Sequence, residues 1–373
     1  MKQWSDTESN SYSRRILDAL KVDPVLLVLL GILSLFGMFV LYSASGSNID
    51  LITRQLIRLI IGFCLLIAVA NIPMRLLKTF SVWFYVVGVL LLLAVMFFGE
   101  VGKGAQRWLD LGIIRFQPSE LLKLAVPLGV ASYLANRVLP IGLKDFLVSV
   151  VLVLIPVILI ARQPDLGTAI LVGSAGFFVL FLAGVRWRIM LSLTFMLSLM
   201  APLLWKFAFH DYQRSRILTM FNPESDPLGS GYHIIQSKIA IGSGGMYGKG
   251  WLNGTQSQLD FIPERSTDFI FSVFGEEFGF FGSAVLILLY LAIIFRGLYI
   301  AAHATDNFGR LVAGAISLTF FVYLFVNIGM VSGMLPVVGV PLPLISYGGT
   351  SMVTLLTSFG LIMSIRSAKR FMG

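Results

Sequence analysis

Charged residues are scarce in this chain. Only 13% of its 373 residues are Asp, Glu, Lys or Arg, and 57% are hydrophobic. Soluble domains carry about a quarter charged residues, so a soluble globular protein is excluded. Apolar runs of roughly 20 residues recur along the chain, and each is long enough to cross the hydrocarbon core of a membrane. An outer-membrane β-barrel is also excluded, because its strands would alternate apolar and polar residues.

Cysteine and histidine are nearly absent. The single cysteine, Cys64, lies inside an apolar run and cannot form an intramolecular disulfide, so it does not indicate a redox compartment. The histidines His210, His233 and His303 are far apart, and no His and Cys cluster has the spacing of a metal site. The sequence therefore predicts no metal-ligating residues. No cleavable signal peptide is visible, since about two dozen mostly polar residues precede the first apolar run.

The apolar runs predict an all-α, polytopic membrane protein with about ten transmembrane helices. We expect residues 1–22 to form a cytoplasmic tail and 23–373 to form a single transmembrane domain. A large extracytoplasmic loop is expected at about 208–267, between the seventh and eighth helices. The predicted spans are 24–44, 55–72, 80–98, 118–136, 145–162, 167–185, 188–207, 268–295, 309–332 and 344–365.

Basic residues in the short loops predict the orientation. An even number of spans places both termini on one side of the membrane, and the positive-inside rule makes that side the cytoplasm. The remaining cations concentrate in the long segments 99–123 and 206–267, which would lie outside. The net charge of +9 therefore does not require a nucleic-acid partner. The cations on the N-terminal side include Arg75, Lys78, Arg137, Lys144, Arg186, Arg188, Arg296, Arg310, Arg366, Lys369 and Arg370.

Asp268 stands at the start of the eighth predicted span. One interpretation is structural, because Ser, Thr and Asp side chains commonly cap the free N–H groups of a helix N-terminus. The other is catalytic. Asp260 and Glu264 lie just upstream and Arg265 is close by, and carboxylates grouped beside a cation are how sites prepare one of them to act as a base.

Four further charged residues lie within predicted spans. Glu276 and Glu277 would be costly if unpaired in lipid, so at least one should face a cavity or a cation. Glu120 and Lys123 are three residues apart, which places them on one helix face where they can pair. An internal salt bridge and a direct substrate role are both open for this pair.

Basic and aromatic residues precede the fourth predicted span. Lys103, Arg107 and Trp108 come first, and Arg115 and Gln117 follow just before the span. These residue types suit the lipid headgroup level of a membrane. They equally suit recognition of a phosphate through charge-assisted hydrogen bonds.

Two irregular segments are rich in glycine or proline. In the run 242–250, Lys249 is followed by glycine rather than Ser or Thr, which excludes a P-loop. We expect these glycines to permit positive φ and close backbone approach. The segment 336–343, with 346–349 after it, is apolar but too rich in proline and glycine for a continuous helix. Irregular backbone at membrane depth is expected to form part of a cavity wall.

Together these stretches resemble the SEDS family (shape, elongation, division and sporulation), and within it the RodA-like branch. The resemblance covers essentially the whole chain. One departure is Ser266, where members often carry His, which leaves the Asp268 carboxylate as the candidate base. The matching stretches are KGAQRWLDLGIIRFQPSE (103–120), ARQPDLGTA (161–169), NPESDPLGSGYHIIQSKIAIGSGG (222–245), PERSTDFIFSVFGEE (263–277) and NIGMVSGMLPVVGVPLPLISYGG (327–349).

The resemblance implies a peptidoglycan glycosyltransferase at the outer face of the bacterial cytoplasmic membrane. It would join lipid II, a polyprenyl-diphosphate-linked disaccharide, into glycan strands during cell elongation. Its partners would be a class B penicillin-binding transpeptidase, other rod-complex proteins and membrane lipids. Asp268 would be the catalytic residue. The expected substrate-binding residues are Arg115, Gln117, Glu120, Lys123 and Arg265, with Lys103, Arg107 and Lys249 as further candidates.

The implied chemistry suits these residue types. A carboxylate that takes the proton of a weakly nucleophilic hydroxyl contributes roughly 10²–10⁴-fold to the rate. The leaving diphosphate builds negative charge that the outer cations would stabilise, either alone or with a divalent cation such as Mg²⁺ or Mn²⁺. No other cofactor is expected. The alternatives are a lipid II flippase or transporter and a scaffold for the transpeptidase. Clustering of the charges on the outer side argues against a transporter, which needs polar groups near the midplane.

Overall fold

The computed structural model describes residues 21–102, 105–110, 115–207, 211–227, 229–259, 261–262 and 264–370. Almost all of the predicted tail, together with Lys103, His210 and Asp260, lies outside these residues. In chain order the elements are α1 (Pro24–Ala44), α2 (Ile49–Ala70), α3 (Met74–Phe98), β1 (Glu100–Gly102), β2 (Ala105–Asp110), β3 (Arg115–Phe116), α4 (Pro118–Leu134), α5 (Leu143–Arg162), α6 (Leu166–Leu182), α7 (Trp187–Phe207), α8 (Asp211–Phe221), a 3₁₀ turn (Pro223–Ser225), α9 (Ser230–Gly244), α10 (Thr255–Gln258), α11 (Ile270–Ala302), α12 (Asn307–Val331) and α13 (Thr350–Arg370).

The predicted class is confirmed, since the chain is an α-helical, multi-pass membrane protein. A helix occupies each of the ten predicted spans, namely α1 to α7 and α11 to α13. Among the described residues, 7 helices are long and apolar enough to cross a membrane on length and composition alone. The apolar helix α6 has 17 residues, which at 1.5 Å per residue is about 25 Å.

Three helices do not begin where the predicted spans begin. In α2 and α3, polar residues extend the helix before the apolar run. Helix α2 begins at Ile49 rather than 55, where Asn48 caps it by accepting a hydrogen bond from the backbone N–H of Leu51 at 3.1 Å. Helix α3 likewise begins at Met74 rather than 80. Helix α13 begins only at Thr350 rather than 344, because the preceding segment is held by contacts to other elements.

The predicted outer loop at about 208–267 is not irregular. It contains helices α8, α9 and α10, and α9 packs against α11. The close packing of α9 against α11 accounts for glycine in this helical segment. A Cβ atom placed on Gly244 would lie 2.1 Å from the backbone oxygen of Gly275, so a glycine at this position lets the two backbones meet.

Helix α11 is kinked at Gly279, whose φ of 65° and ψ of −160° are not helical. A kink frees backbone groups that must find other partners in a membrane protein. The glycine-rich run supplies them. The N–H groups of Lys249 and Gly250 donate to the oxygens of Glu276 and Glu277 at 3.0 and 2.9 Å, and the oxygen of Gly245 accepts from Phe280 at 2.9 Å.

The expected role of the glycines in the run 242–250 is confirmed. Gly245, Gly248 and Gly250 have positive φ values of 55°, 80° and 97°. A Cβ atom on Gly248 would lie 2.1 Å from the oxygen of Glu277. Positive φ and close backbone approach are therefore both required at this position.

A three-stranded antiparallel sheet, which the sequence did not predict, joins α3 to α4. Its order is β1-β2-β3, and the residue pairs Leu109–Phe116 and Asp110–Arg115 align β2 with β3. The strands are too short to show an alternating pattern. The sheet positions Arg107 and Trp108 above the membrane helices that follow.

Helix α12 lies at the centre of the bundle, where it packs against α4, α6 and α11. Three of its aromatic residues, Phe308, Phe320 and Tyr323, are fully buried. At the end of α11 remote from Asp268, the buried Asp23 binds Arg296, with Oδ2 and Nη2 2.8 Å apart, and also pairs with Arg366. This ion cluster connects the start of α1 to α11 and α13.

The glycine-rich run gives a prediction about stability. Gly248→Ala should lower the free energy of unfolding by about 2 kcal/mol, because alanine is strained at positive φ and its Cβ would overlap Glu277. Gly242→Ala, where a Cβ would meet nothing within 4 Å, is the control and should stabilise the helix slightly. Thermal unfolding in detergent measures both variants, and equal losses would contradict this explanation.

Candidate active site

A cavity of about 480 Å³ opens at the Asp268 end of the helical bundle. Strand β2, the helices α4, α6 and α8, and the segments before α11 and α13 all contribute to its wall. Four of the predicted substrate-binding residues line it with Asp268: Arg107, Gln117, Glu120 and Lys123. The other lining residues are Trp108, Pro164, Leu166, Thr168, Leu171, Arg216, Glu264, Thr267, Val338, Gly339, Val340, Pro341, Tyr347, Gly348, Gly349, Thr350 and Ser351.

Asp268 lies just before α11 and is not its N-cap, a position held by Phe269. The backbone oxygen of Asp268 accepts a hydrogen bond from Nδ2 of the buried Asn327 at 2.9 Å. The same Nδ2 donates to the oxygen of Val340 at 2.7 Å, so α12 holds the Asp268 segment and the opposite wall together. A Cβ atom on Gly339 would lie 3.5 Å from Oδ2 of Asp268.

The irregular segment 336–349 forms a wall of the cavity, as the sequence predicted. Ser346 fixes it in place. Its Oγ donates to the backbone oxygen of Thr267 at 2.6 Å and accepts from the N–H of Leu342 at 2.8 Å. The N–H of Tyr347 donates to the oxygen of Ser266 at 2.8 Å. These hydrogen bonds pair backbone N–H and C=O groups that have no partner within a helix or a sheet.

The predicted pair of Glu120 and Lys123 is confirmed. Lys123 Nζ lies 2.6 Å from Glu120 Oε1, and the two residues are only 9% and 5% exposed. The ammonium also lies 5.3 Å from the ring centroid of Tyr323. Because both members line the cavity, the pair can hold α4 in place and also present charge to a bound molecule.

Gln117 and Arg107 converge on Asp165, which belongs to the matching stretch 161–169 but was not one of the predicted site residues. Gln117 Nε2 donates to Asp165 Oδ2 at 2.9 Å, and Arg107 Nε lies 4.0 Å from the same oxygen. Asp165 also caps α6 by accepting from the N–H of Thr168 at 3.2 Å. Arg107 further donates to the backbone oxygens of Gln163, at 3.4 Å, and Pro164. These contacts orient the guanidinium at the rim of the cavity.

Arg216 is a lining residue that was not predicted from the sequence. It lies on α8, within a segment expected to be a loop, and the packing of α8 brings it to the cavity. The only local signal is the pair of arginines two residues apart. The other member, Arg214, binds Asp211 at 3.4 Å and the end of α7 instead.

The predicted residues Lys249 and Arg265 are not among the cavity-lining residues. Lys249 Nζ binds Oε1 of the fully buried Glu276 at 2.6 Å, which confirms that one of the two membrane glutamates faces a cation. Arg265 donates to the backbone oxygen of Ser257. Their substrate-binding roles stay predictions.

Two further predicted residues have no described side chain. Arg115 belongs to β3 by its backbone, and only its strand pairing with Asp110 is described. Lys103 lies outside the described residues. Substrate binding by either residue stays a prediction.

Within the described ranges, no group of three or more His, Cys, Asp or Glu side chains could hold a metal ion. Mg²⁺ is usually bound through one or two carboxylates together with substrate phosphates and water. Asp268 and Glu264 are the exposed or half-buried carboxylates of the cavity that could take part in such binding. The divalent cation therefore stays a prediction.

The Glu120–Lys123 pair predicts how stability depends on both partners. Lys123→Met should lower the free energy of unfolding by about 3 kcal/mol, because it leaves a buried carboxylate unpaired. The double variant Glu120→Gln/Lys123→Met removes both charges and should recover most of that loss. Thermal unfolding in detergent compares them, and a double variant as unstable as the single one would contradict the pairing.

Known proteins agree with this architecture. The chain is 50% identical over 363 residues to the peptidoglycan glycosyltransferase MrdB of Escherichia coli K12, covering 97% of this chain and 98% of MrdB. A solved chain from a peptidoglycan synthase complex that coordinates polymerization and crosslinking has a TM-score of 0.81 and 32% identity, covering 94% of this chain and 99% of that one. The rod shape determining protein RodA of Thermus thermophilus has a TM-score of 0.71 and 30% identity, covering 92% of this chain and 96% of that one.

A family model described as cell cycle protein, named for FtsW, RodA and SpoVE, matches residues 23–371. This match spans the predicted membrane domain from its first helix to its last. The resemblance that the motifs suggested is thereby confirmed. The chain belongs to the FtsW/RodA/SpoVE family, and its similarity to MrdB and RodA places it with the RodA-like members.

Proposed function

We propose that this protein is a peptidoglycan glycosyltransferase that polymerises lipid II during cell elongation, with Asp268 as general base. The observation that carries the proposal is one cavity that contains the Asp268 carboxylate together with the cations Arg107, Lys123 and Arg216. MrdB, which is 50% identical over nearly its whole length, is a peptidoglycan glycosyltransferase. The cavity contains the two kinds of group that such a transfer requires.

The first kind is a base for the acceptor sugar. The hydroxyl oxygen of one lipid II attacks the anomeric carbon of the other sugar, and the bond from that carbon to the diphosphate oxygen breaks. The Asp268 carboxylate takes the hydroxyl proton, which contributes roughly 10²–10⁴-fold to the rate. The hydrogen bond from Asn327 to the backbone oxygen of Asp268 holds the backbone from which this carboxylate extends.

The second kind is a set of cations for the leaving group. The departing polyprenyl diphosphate keeps the electron pair of the broken bond and gains negative charge. Guanidinium groups bind phosphate oxygens through paired, charge-assisted hydrogen bonds. We propose this role for Arg107 and Arg216, which line the cavity. Arg107 is oriented by Asp165 and by the backbone oxygens of Gln163 and Pro164, and Lys123 is bound to Glu120. Stabilisation of developing charge by positioned groups of this kind usually lowers the activation barrier more than any other single effect.

We also propose that a divalent cation, Mg²⁺ or Mn²⁺, would enter the cavity bound to the diphosphate of the substrate. Such an ion would supply further neutralisation of the leaving group. Glu264 and Asp268 are the carboxylates that could share its coordination. The proton transfer to Asp268 does not depend on it.

The setting of the proposal is the bacterial inner membrane, with both termini in the cytoplasm and the cavity on the periplasmic side. The positive-inside distribution of the short-loop cations supports this orientation. Substrates anchored by lipid tails are already confined near the cavity, which reduces the entropic cost of orienting them.

The proposed partner is a class B penicillin-binding transpeptidase, together with other membrane proteins of the rod complex. Support comes from the structural similarity to a chain of a synthase complex that both polymerises and crosslinks peptidoglycan. A transpeptidase beside the cavity would receive the glycan strand as it is made.

The test is polymerisation of lipid II by the purified protein with its transpeptidase. Asp268→Asn should lower the rate at least about 100-fold, because the amide cannot accept the proton. Glu224→Gln removes an exposed carboxylate that does not line the cavity and should keep most of the activity. Parallel reactions with EDTA, and then with added Mg²⁺ or Mn²⁺, decide whether an ion is required.

Other outcomes of this assay identify the alternatives. Asp268→Asn with wild-type polymerisation would refute the assignment of the base. Transfer of lipid II across vesicle membranes without any polymer would indicate a flippase. Harmless substitutions throughout the cavity, with the transpeptidase still bound and active, would indicate a scaffold.

The cation set gives a second kinetic prediction. Arg216→Gln should lower the rate of polymerisation about tenfold, because one charge-assisted contact to the leaving group is lost. Arg214→Gln is the matched control, since Arg214 is on the same helix but binds Asp211 and α7. A rate for Arg216→Gln no lower than that for Arg214→Gln, at equal stability, would contradict a role of Arg216 in the reaction.

A further inference from the structure

Helix α2 carries a buried amide inside the membrane domain. Gln55 lies six residues after Ile49, which is about 9 Å along the helix, and only 1% of it is exposed. All residues of α2 are described, and none of them lines the Asp268 cavity. A buried amide in a membrane helix is costly unless its donors and its acceptor are paired. The partners of Gln55 therefore indicate its role.

The amide of Gln55 pairs with the irregular wall formed by 336–349. Nε2 donates to the backbone oxygen of Ser346 at 3.0 Å, and Oε1 accepts from the N–H of Gly348 at 3.4 Å. Nε2 also lies 3.5 Å from Sδ of Met352. One side chain of α2 thus binds two backbone groups of a segment that has no helix or strand to pair them.

Arg58 binds the same wall from one turn further along α2, on the same helix face. Its Nη1 donates to the backbone oxygen of Gly348 at 3.3 Å, and its guanidinium carbon lies 4.6 Å from the ring centroid of Tyr347. Both backbone polar groups of Gly348 are consequently bound to α2. Because Tyr347 and Gly348 line the cavity, α2 holds this part of the wall from behind.

Attachment of α2 to the bundle does not require these hydrogen bonds. Helix α2 packs against α13 along a stretch where both helices are regular. A Cβ atom on Gly62 would lie 2.5 Å from Cδ1 of Leu356, and one on Gly360 would lie 2.6 Å from the backbone oxygen of Leu66. These glycines bring the two helices together. The hydrogen bonds of Gln55 go instead to the segment before α13, so they serve the wall.

The wall is bonded in turn to the residues just before Asp268. Ser346 Oγ donates to the backbone oxygen of Thr267 at 2.6 Å. The N–H of Tyr347 donates to the backbone oxygen of Ser266 at 2.8 Å. A displacement of this wall would therefore move the backbone that carries the Asp268 carboxylate.

We propose that Gln55 is a positioning residue of the reaction, which acts on Asp268 through Ser346 and Thr267. The inference rests on the proposed function, because it takes Asp268 as the base. Proton transfer requires the accepting oxygen to lie within hydrogen-bond reach of the hydroxyl. Misplacement of a reacting group by about 1 Å lowers a rate by up to roughly 10²-fold.

The test variant is Gln55→Met, which keeps the length of the side chain and removes its hydrogen bonds to the wall. The matched control is Thr53→Val, an exposed position of α2 whose hydroxyl donates to the backbone oxygen of Ile49 within the same helix. Polymerisation of lipid II by the purified protein with its transpeptidase gives kcat and KM. Hydrogen–deuterium exchange with mass spectrometry measures protection of the N–H groups of Tyr347 and Gly348 independently of activity.

We expect Gln55→Met to lower kcat about tenfold and to change KM by less than about twofold, because the contact sets the reacting geometry rather than substrate binding. Peptides that contain Tyr347 and Gly348 should exchange roughly fivefold faster, since a lost hydrogen bond favours local opening. Thr53→Val should match wild type in both measurements. In an Asp268→Asn background, Gln55→Met should cause little further loss, because residues that act as a unit have non-additive effects.

Ser346→Ala tests the same path if Gln55→Met yields too little folded protein. It removes the Oγ hydrogen bond to Thr267 and should lower kcat in the same way. The unfolding temperature of each variant is measured alongside.

Three results would overturn the proposal and leave the proposed function intact. One is a wild-type kcat for Gln55→Met while Asp268→Asn is slow. The second is unchanged exchange at Tyr347 and Gly348. The third is a loss from Gln55→Met that persists in full in the Asp268→Asn background, which would indicate a general weakening of the fold. A wild-type rate for Asp268→Asn would instead refute the proposed function and, with it, the base on which Gln55 is inferred to act.

Discussion

The rest of this structure depends on satisfying the polar groups around the kink of α11. Gly279 breaks the helix within the membrane domain, and the run 242–250 supplies the missing backbone hydrogen bonds. Glu276, fully buried beside the kink, accepts from Lys249 Nζ at 2.6 Å and from the N–H of Gln256 at 3.0 Å. Unpaired groups at this depth would be expensive. Their pairing fixes the first part of α11 and hence the position of Asp268 just before it.

The need to pair every buried backbone polar group also explains how the cavity wall opposite Asp268 is held. The segment 336–349 has no regular structure, so its backbone must be satisfied by side chains and by other segments. Asn327 and Ser346 each make two such hydrogen bonds, one to the wall itself and one to the segment that carries Asp268. The catalytic candidate and the cavity wall are therefore held by shared contacts, and a shift of one would move the other.

Charge is arranged at both ends of the bundle, with different consequences. The Asp268 cavity combines carboxylates with cations, which suits a reaction that moves a proton and releases a diphosphate. A cavity at the opposite end is lined by the cations Lys21, Arg75 and Lys78 and by the carboxylate of Asp306, which caps α12. At the end remote from Asp268, the ion cluster of Asp23, Arg296 and Arg366 holds α1, α11 and α13 together.

Hydropathy along the sequence was sufficient to predict ten helices and the all-α class, because the membrane imposes one length and one polarity on each span. The spacing of Glu120 and Lys123 was sufficient to predict that they pair. The proline and glycine content of 336–349 was sufficient to predict an irregular cavity wall. Only the tertiary structure decided that Arg216 reaches the cavity while Lys249 turns to Glu276. The physical reason is that both lie in a segment of mixed polarity, where long-range packing rather than local pattern sets the direction of each side chain.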